Sequence, residues 1–327
     1  MIKINCNFCG GNDYTVLSSG HIIKEGAIDL VRCNNCSLVY YNPQLTKEEL
    51  EPYYAEDYYG VNNLRFIGLI EKFVRLKRKI RAIRVHRYVN GGKVLDIGCG
   101  RGIFLNEMRK KGYDVHGTEF SETGAKFAKQ VLKLDVSIGE LESLRFPDND
   151  FDIVTIYHVL EHLNNPVQTL HEVKRILKPG GLLLIAVPNI ESWQAKIFKT
   201  YWFHLDIPRH YFHFSPATLN NILPQNEWAI LKVKRFSFEQ GPFGWVQSSA
   251  NVIFHNRDNI LYNILKEKAS GTLTNYVTRR FKMFRWTITL LNLAAGILLI
   301  IPATIVSWFV AFSNHNEIME IYYKKKF

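Results

Sequence analysis

The run VLDIGCGRG at Val94 to Gly102, followed by Glu119 at the end of VHGTE, restricts this chain more than any other feature. Val94, Leu95 and Ile97 read as a buried parallel strand, and Gly98, Gly100 and Gly102 free the backbone to turn tightly before a helix. Glu119 ends the next strand, where an acid can accept both hydroxyls of a ribose. Together these residues describe a nucleoside-type cofactor site. Asp96 narrows the choice. A pyrophosphate cofactor favours a neutral or positive loop at a helix N-terminus, whereas a carboxylate suits a cofactor with a cationic amino group, such as S-adenosylmethionine. The dinucleotide pattern G-x-G-x-x-G is also broken, because the third glycine arrives one residue early at Gly102.

Around this loop the pattern alternates between strand and helix. Expected strands are Lys93 to Ile97, Asp114 to Thr118, Asp135 to Ile138, Asp152 to Tyr157 and Gly181 to Val187, with helical patterns between most of them. Trp228 to Phe238 and Ile318 to Tyr323 also alternate like strands. The class is α/β, a parallel sheet covered by helices on both faces. RILKPGG at Arg175 to Gly181 stops a helix, and Ser215 followed by Pro216 opens one as N-cap and N1. Five segments follow: a head at 1–45, a connector with a basic amphipathic helix at 46–90, the cofactor-binding core at 91–238, an apolar insertion at 239–316, and a final strand at 317–327.

The head carries CNFC at Cys6 to Cys9 and CNNC at Cys33 to Cys36, two C-x2-C knuckles 23 residues apart. Four thiolates on two tight turns make a closed tetrahedral site, so the expected group is a structural zinc ion; a redox pair is the rival. MIKINCNFCG shows no signal peptide, and cytosolic synthesis keeps thiols reduced, so disulfides are not expected. Cys99, in the glycine loop, reads as a small packing residue.

In their order these motifs resemble the class I S-adenosylmethionine-dependent methyltransferase family over most of residues 45 to 238. The resemblance implies a Rossmann-like seven-stranded sheet, mostly parallel with the last strand antiparallel, here with a small zinc ribbon and an apolar helical insertion before that strand. GELESLRFPDNDFDIV at Gly139 to Val154 looks like the segment that reaches the adenine amine, with Glu140 where the family usually has aspartate and Leu141 contributing its backbone. IYHVLEHLNNP at Ile156 to Pro166 looks like the stretch that closes over the methionine end of the cofactor and faces the acceptor. VKRILKPGGLLLIAVPN is similar to the fifth-strand approach. Cofactor contacts are thereby implied for Asp96, Gly98, Cys99, Gly100, Gly102, Glu119, Phe120, Glu140, Leu141 and Tyr157.

Methyl transfer from a sulfonium requires an in-line nucleophile and exclusion of water. His162 is the leading candidate for general base or acceptor-orienting group, with packing against the next helix as the alternative. His158 and Glu161 rank below it, since on a helix they point to different sides. The head together with LVYYNPQLTKEELEPYYAEDYYG also resembles the zinc-ribbon N-terminus of methyltransferases of sugar and surface-glycan biosynthesis. That likeness implies that Tyr58 and Tyr59 either stack on the acceptor or pack the head. YWFHLDIPRHYFHFSPATL at Tyr201 to Leu219 resembles a segment before the sixth strand, so His204, His210, Tyr211 and His213 are pocket candidates and Arg209 a partner for an anionic group.

Two segments bear on partners. The formal charge is +11, and Arg65 to Arg87 holds nine Lys or Arg against Glu71 alone. Phe66 to Val89 is a basic amphipathic helix that suits anionic lipid, phosphates, or simple packing with solvated charges. Thr287 to Phe312 is an uncharged run of 26 residues flanked by Arg279, Arg280, Lys282, Arg285 and Trp286, long enough to span a bilayer. A spanning helix would separate the final strand from its sheet. A re-entrant hairpin or interfacial helix pair turning near Gly296 or Pro302 is therefore expected, with a buried core helix or dimer interface as the soluble alternative. The expectation is a cytoplasmic enzyme at the inner membrane face, methylating a glycan precursor, lipid-linked sugar or other lipid-borne acceptor. A quinone or isoprenoid O-methyltransferase is the alternative, and a zinc-ribbon nucleic-acid-binding module the rival from another class.

Overall fold

The computed structural model describes residues 1–54, 68–237, 240–255, 259–270, 285–313 and 315–327. Tyr58, Tyr59, the first residues of the basic helix and the cations Arg279, Arg280 and Lys282 lie outside these residues.

Two sheets organise the chain. The head is an antiparallel sheet of β1 (Tyr14–Ile23), β2 (Gly26–Cys33) and β3 (Val39–Asn42). Its fourth strand comes from far away: β9 (Phe212–His213) pairs with β3, setting Val39 opposite His213 and Tyr40 opposite Phe212. The main sheet contains β4 (Lys93–Ile97), β5 (Asp114–Glu119), β6 (Asp135–Ile138), β7 (Phe151–Tyr157), β8 (Leu177–Pro188), β10 (Trp228–Lys234) and β11 (Ile318–Lys325). Their order is β10-β11-β8-β7-β4-β5-β6, and β11 runs antiparallel to both its neighbours. The expected seven-stranded sheet with an antiparallel last strand is present. β8 starts earlier than the glycines suggest, because Leu177 already pairs with Phe151 and Pro179 to Gly181 fall at a register shift that needs no ladder hydrogen bond.

Helices cover both faces: α1 (Lys47–Leu50), α2 (Gly68–His86), α3 (Ile103–Arg109), α4 (Glu122–Gln130), α5 (Pro166–Ile176), α6 (Trp193–Phe198) and α7 (Pro216–Ile222). On α7, Ser215 accepts from the Thr218 amide and Pro216 occupies the first turn, the predicted start, worth about 1 kcal/mol as a cap. One core cluster joins Cys6, Tyr40 and Leu45 of the head to Ile97, Val154 and Ile185 of the sheet, so the head is packed onto that face rather than tethered to it.

The basic helix α2 packs on the other face through Ala82 and Val85. Two of its cations turn inward. Arg81 is buried, with its guanidinium 4.0 Å from the Phe104 ring centre and 4.2 Å from that of Tyr157. Arg84 reaches Glu320 of β11 at 2.6 Å, where Lys234 also arrives at 3.0 Å. Burial alone would raise the Glu320 carboxyl, but these two cations hold it down in its charged form. Part of the basic stripe thus neutralises acids inside the protein.

The insertion consists of α8 (Gly241–Ile253), α9 (Ile260–Ser270) and α10 (Arg285–Val310). The expected turn near Gly296 or Pro302 is absent, since α10 is continuous through both. Gly296 serves close packing instead: a Cβ there would stand 3.2 Å from Leu261 of α9. Val246, Leu261 and Ala303 form the small core that joins the three helices. The outer face of α10 is apolar and open, with Ile297, Leu298 and Ile301 at 73%, 75% and 70% exposure, which removes the reading of a buried core helix. Leu293–Val310 is long and apolar enough to cross a membrane by length and composition.

Candidate active site

The glycine loop after β4 adopts the conformation its sequence requires. Gly98, Gly100 and Gly102 have φ of 67°, 51° and 66°, the left-handed region that a side chain disfavours by about 1–2 kcal/mol. A Cβ on Gly98 would collide with Val159, whereas one on Gly100 would meet nothing closer than Glu119 Oε2 at 3.9 Å. The loop is therefore tight on its inner side and open on its outer side, toward a cavity of about 680 Å3. That volume lies within the usual range for small-molecule sites.

Asp96 sits at the cavity floor, buried, and accepts a hydrogen bond from Thr155 Oγ1. Burial raises its carboxyl pKa, opposed by the positive charge of Arg81. Glu119 ends β5 as expected. Its Oε2 accepts from the Gly100 amide at 2.8 Å and its Oε1 from the Phe120 amide at 3.0 Å, so it braces the loop it faces. Phe120, Glu140, Leu141 and Tyr157 line the same cavity, Glu140 being exposed and Leu141 buried. Cys99 packs its sulfur toward Gly117, where an added Cβ would come within 2.7 Å, and burial pushes its thiol well up, away from nucleophilic use. These residues are compatible with the expected nucleoside cofactor: the open side of Gly100 would admit close approach, Asp96 would face its cationic end, and Glu119, Glu140 and Leu141 would take ribose and base.

The opposite wall comes from the turn after β7. It is not an α-helix. His158 has a φ of +56°, an uncommon value for a residue with a side chain, and Leu160–His162 form a single 3-10 turn. The expectation that His158 and Glu161 point to different sides fails, since residues three apart are neighbours even on a helix, and this turn holds His158 Nδ1 3.4 Å from Glu161 Oε1. His162 Nδ1 lies 2.9 Å from the Tyr54 hydroxyl and 3.0 Å from the Arg209 carbonyl. A carbonyl only accepts, so Nδ1 carries the proton and Nε2 keeps its lone pair. The His162 and His210 rings meet edge to face with centres 4.5 Å apart.

Electrostatics follow from this crowding. Burial drives His162 down to about 4, with the nearby His210 adding to it, and burial drives His204 to about 3. Both imidazoles are neutral at physiological pH. Glu161 is buried; burial alone would raise it, but the His158 hydrogen bond and surrounding imidazoles hold it at about 2, ionised. Its Oε2 has no hydrogen-bond partner among the described residues.

The segment before β9 divides the remaining candidates. His204, Arg209 and His210 line the cavity, but Arg209 is committed to Asp206, donating from Nε at 3.1 Å and from Nη2, rather than held out for an anionic acceptor. Tyr211 and His213 are elsewhere. Tyr211 is buried with its hydroxyl on the Leu45 carbonyl, and His213 belongs to β9 beside Tyr41, because pairing with β3 commits this stretch to the head. Three contributors are absent from the sequence reading. Tyr54 lines the cavity beside His162; Asp206 accompanies Arg209; Phe243, Leu265 and Ile300 of the insertion line it as well.

In the head, Cys6 Sγ lies 3.4 Å from Cys36 Sγ and Cys9 Sγ 3.4 Å from Cys33 Sγ, and all four sulfurs fall within 4.8 Å of one another. Two crossed pairs of this kind suit one tetrahedral ion with metal–sulfur bonds of about 2.3 Å.

Residues 72–233 match a family described as a methyltransferase domain. The match runs from α2 to β10, so it includes the loop and the histidine wall but neither the head nor the apolar helices. Demethylmenaquinone methyltransferase of Listeria welshimeri is 31% identical over 151 residues, 42% of this chain and 63% of that protein. Ubiquinone biosynthesis O-methyltransferase of Maricaulis maris is 35% identical over 137 residues, 39% of this chain and 54% of that protein. The chain thus spans less than two thirds of the length of these relatives. A solved SAM-dependent methyltransferase from Archaeoglobus fulgidus aligns with a TM-score of 0.45 and 23% identity, covering 79% of this chain and 98% of that one.

Proposed function

We infer that this chain, with a methyltransferase domain over residues 72–233, is a class I S-adenosylmethionine-dependent methyltransferase, and we propose a lipid-borne quinone or isoprenoid phenol as its acceptor. One observation carries the acceptor class. The cavity runs without a break from the glycine loop, past His158, Glu161, His162 and His210, to the apolar wall of Phe243, Leu265 and Ile300. An acceptor with an oxygen at the histidine wall and a hydrocarbon tail along the insertion fills that shape. The relatives named for menaquinone and ubiquinone steps favour this class over the glycan precursor or lipid-linked sugar expected from the cysteine head.

Bound S-adenosylmethionine supplies an electrophilic methyl group on a sulfonium. Everything else is the protein's work. Asp96 would hold the cationic end, Glu119 would take the ribose end, and the kinked turn at His158 presents His162 to the acceptor. His162, neutral and with Nδ1 engaged, offers Nε2 to an acceptor hydroxyl, orienting it or receiving its proton. The connector contributes Tyr54 to this wall, and a structural zinc ion on Cys6, Cys9, Cys33 and Cys36 would hold the head's turns in place.

The open face of α10 suits the cytoplasmic membrane surface. The helix is packed along α8 and leads into β11, so it lies on the body of the protein instead of leaving it as a lone span. Ile300 lines the cavity on the same helix, giving a hydrocarbon tail a path from bilayer to site. The test is to incubate the purified chain with methyl-labelled S-adenosylmethionine and total membrane lipid. Label is expected in the organic phase, in a species that comigrates with a methylated quinol; label confined to water-soluble glycans overturns the acceptor class. Deleting Thr287 to Phe312 with a short linker should abolish flotation with vesicles, and persistence of flotation would remove the helix as the anchor.

A further inference from the structure

We propose that Glu161, His162 and His210 form a binding site for a divalent transition cation, zinc foremost, placed to take the acceptor oxygen at an open coordination position. One ligand atom from each of the three side chains can be chosen so that all lie within 4.8 Å of one another. Ligands about 2 Å from a common ion stand roughly 3.3 Å apart in a tetrahedron, so small side-chain rotations close the site. Two histidines and one carboxylate with a vacant position form a donor set typical of catalytic zinc.

The surroundings are those of ligands. A metal-bound imidazole usually donates its second nitrogen to a carbonyl or carboxylate, which fixes the ring and its tautomer. Both histidines already do so: His162 Nδ1 lies 3.0 Å from the Arg209 carbonyl and His210 Nδ1 2.8 Å from the His204 carbonyl. Each therefore keeps Nε2 as its lone-pair nitrogen. Glu161 is buried, its Oε1 is held by His158 at 3.4 Å, and its Oε2 has no hydrogen-bond partner among the described residues. A buried carboxylate oxygen without a hydrogen bond is destabilising, and a cation at this point removes that cost. Asp206 stands 3.6 Å from His210 Nε2, with its charge balanced by Arg209.

What the ion does there rests on the methyl-transfer reading. An acceptor hydroxyl bound to it loses its proton to solvent more readily; the oxygen lone pair then forms the bond to the methyl carbon as the carbon–sulfur bond breaks and the sulfonium becomes a neutral thioether. With the ion bound, His162 Nε2 is a ligand, and its role as base in the metal-free site passes to the metal, which makes the hydroxyl acidic.

The test uses the full chain, stripped of metal and titrated with Co2+ alone. Two equivalents are expected: one with the intense near-ultraviolet charge-transfer band of thiolate ligands, from the cysteine head, and one with only weak visible bands. His210→Ala and the nearly isosteric Glu161→Gln should each lose the second equivalent while keeping the first, which also reports that the head remains folded. A single equivalent in the unmodified chain overturns the proposal, as does a second equivalent retained by both variants. The readout is separate from turnover. A second equivalent in a chain that methylates no lipid upholds the site and removes the acceptor reading; lipid methylation by a chain that binds only the thiolate equivalent does the reverse.

Discussion

The two ends of the cavity are built in opposite ways. The cofactor end is nearly continuous in sequence: Asp96, three glycines and Glu119 lie within two strands and one turn, and their positions follow from strand period and glycine geometry. The acceptor end is assembled from Tyr54, the turn at His158 to His162, the segment 204–210 and the helices of the insertion, elements separated by up to about 250 residues and held by packing. Local chemistry dictates the first; only the folded chain brings together the second.

If the ends are separable, mutations should split binding from turnover. The largest effect is expected for His162→Ala, which should lower kcat by about 100-fold or more while leaving cofactor Kd unchanged, as measured by single-turnover kinetics and calorimetry. Equal loss of both would show one cooperative site. Asp96→Ala should do the converse, weakening S-adenosylmethionine binding by about 10- to 100-fold through loss of a charge-assisted contact. Gly98→Ala tests the seam between the ends. Left-handed strain and the collision with Val159 should cost about tenfold in cofactor affinity and also slow turnover, because Val159 is part of the turn that carries His162. An effect on affinity alone would mean that the turn is positioned independently of the loop.

Smaller effects concern the head. His213, held by burial at about 3 against an unfolded value near 6.5, takes up a proton on unfolding throughout that window. Stability therefore falls as the pH is lowered from about 6.5 toward 3. Thermal melts should show a shallower acid loss for His213→Leu; an unchanged profile would assign the acid sensitivity to other groups. The smallest change is expected for Tyr54→Phe, at most about tenfold in kcat, the worth of one hydrogen bond to His162.

The contrast also explains what the sequence made legible. Strand positions and the seven-stranded class follow from apolar runs of period two and their glycine and proline boundaries, and Lys93–Ile97 and Asp135–Ile138 have the observed bounds. The α10 turn was misplaced because Gly296 and Pro302 are breakers only in the absence of neighbours; packed against Leu261, the glycine becomes a contact point. The separation expected for His158 and Glu161 has no helical basis, since residues three apart are neighbours on a helix, and the observed turn also holds them together. His210 carried no visible link to Glu161 and His162, since nothing in local spacing reports a contact across almost fifty residues. The Asp206–Arg209 pair was more accessible: an aspartate three residues before an arginine in HLDIPRH is a local ion-pair signal.

The pairing of β3 with β9 gives the chain an architecture that a domain map conceals. A cut after residue 45 would strip Phe212 and His213 of their partner strand only a few residues from His210, and the matched stretch 72–233 expressed alone would carry that exposed edge. The cysteine cluster and the histidine wall are thus linked through the β3–β9 ladder, and loosening the first transmits slack to the second.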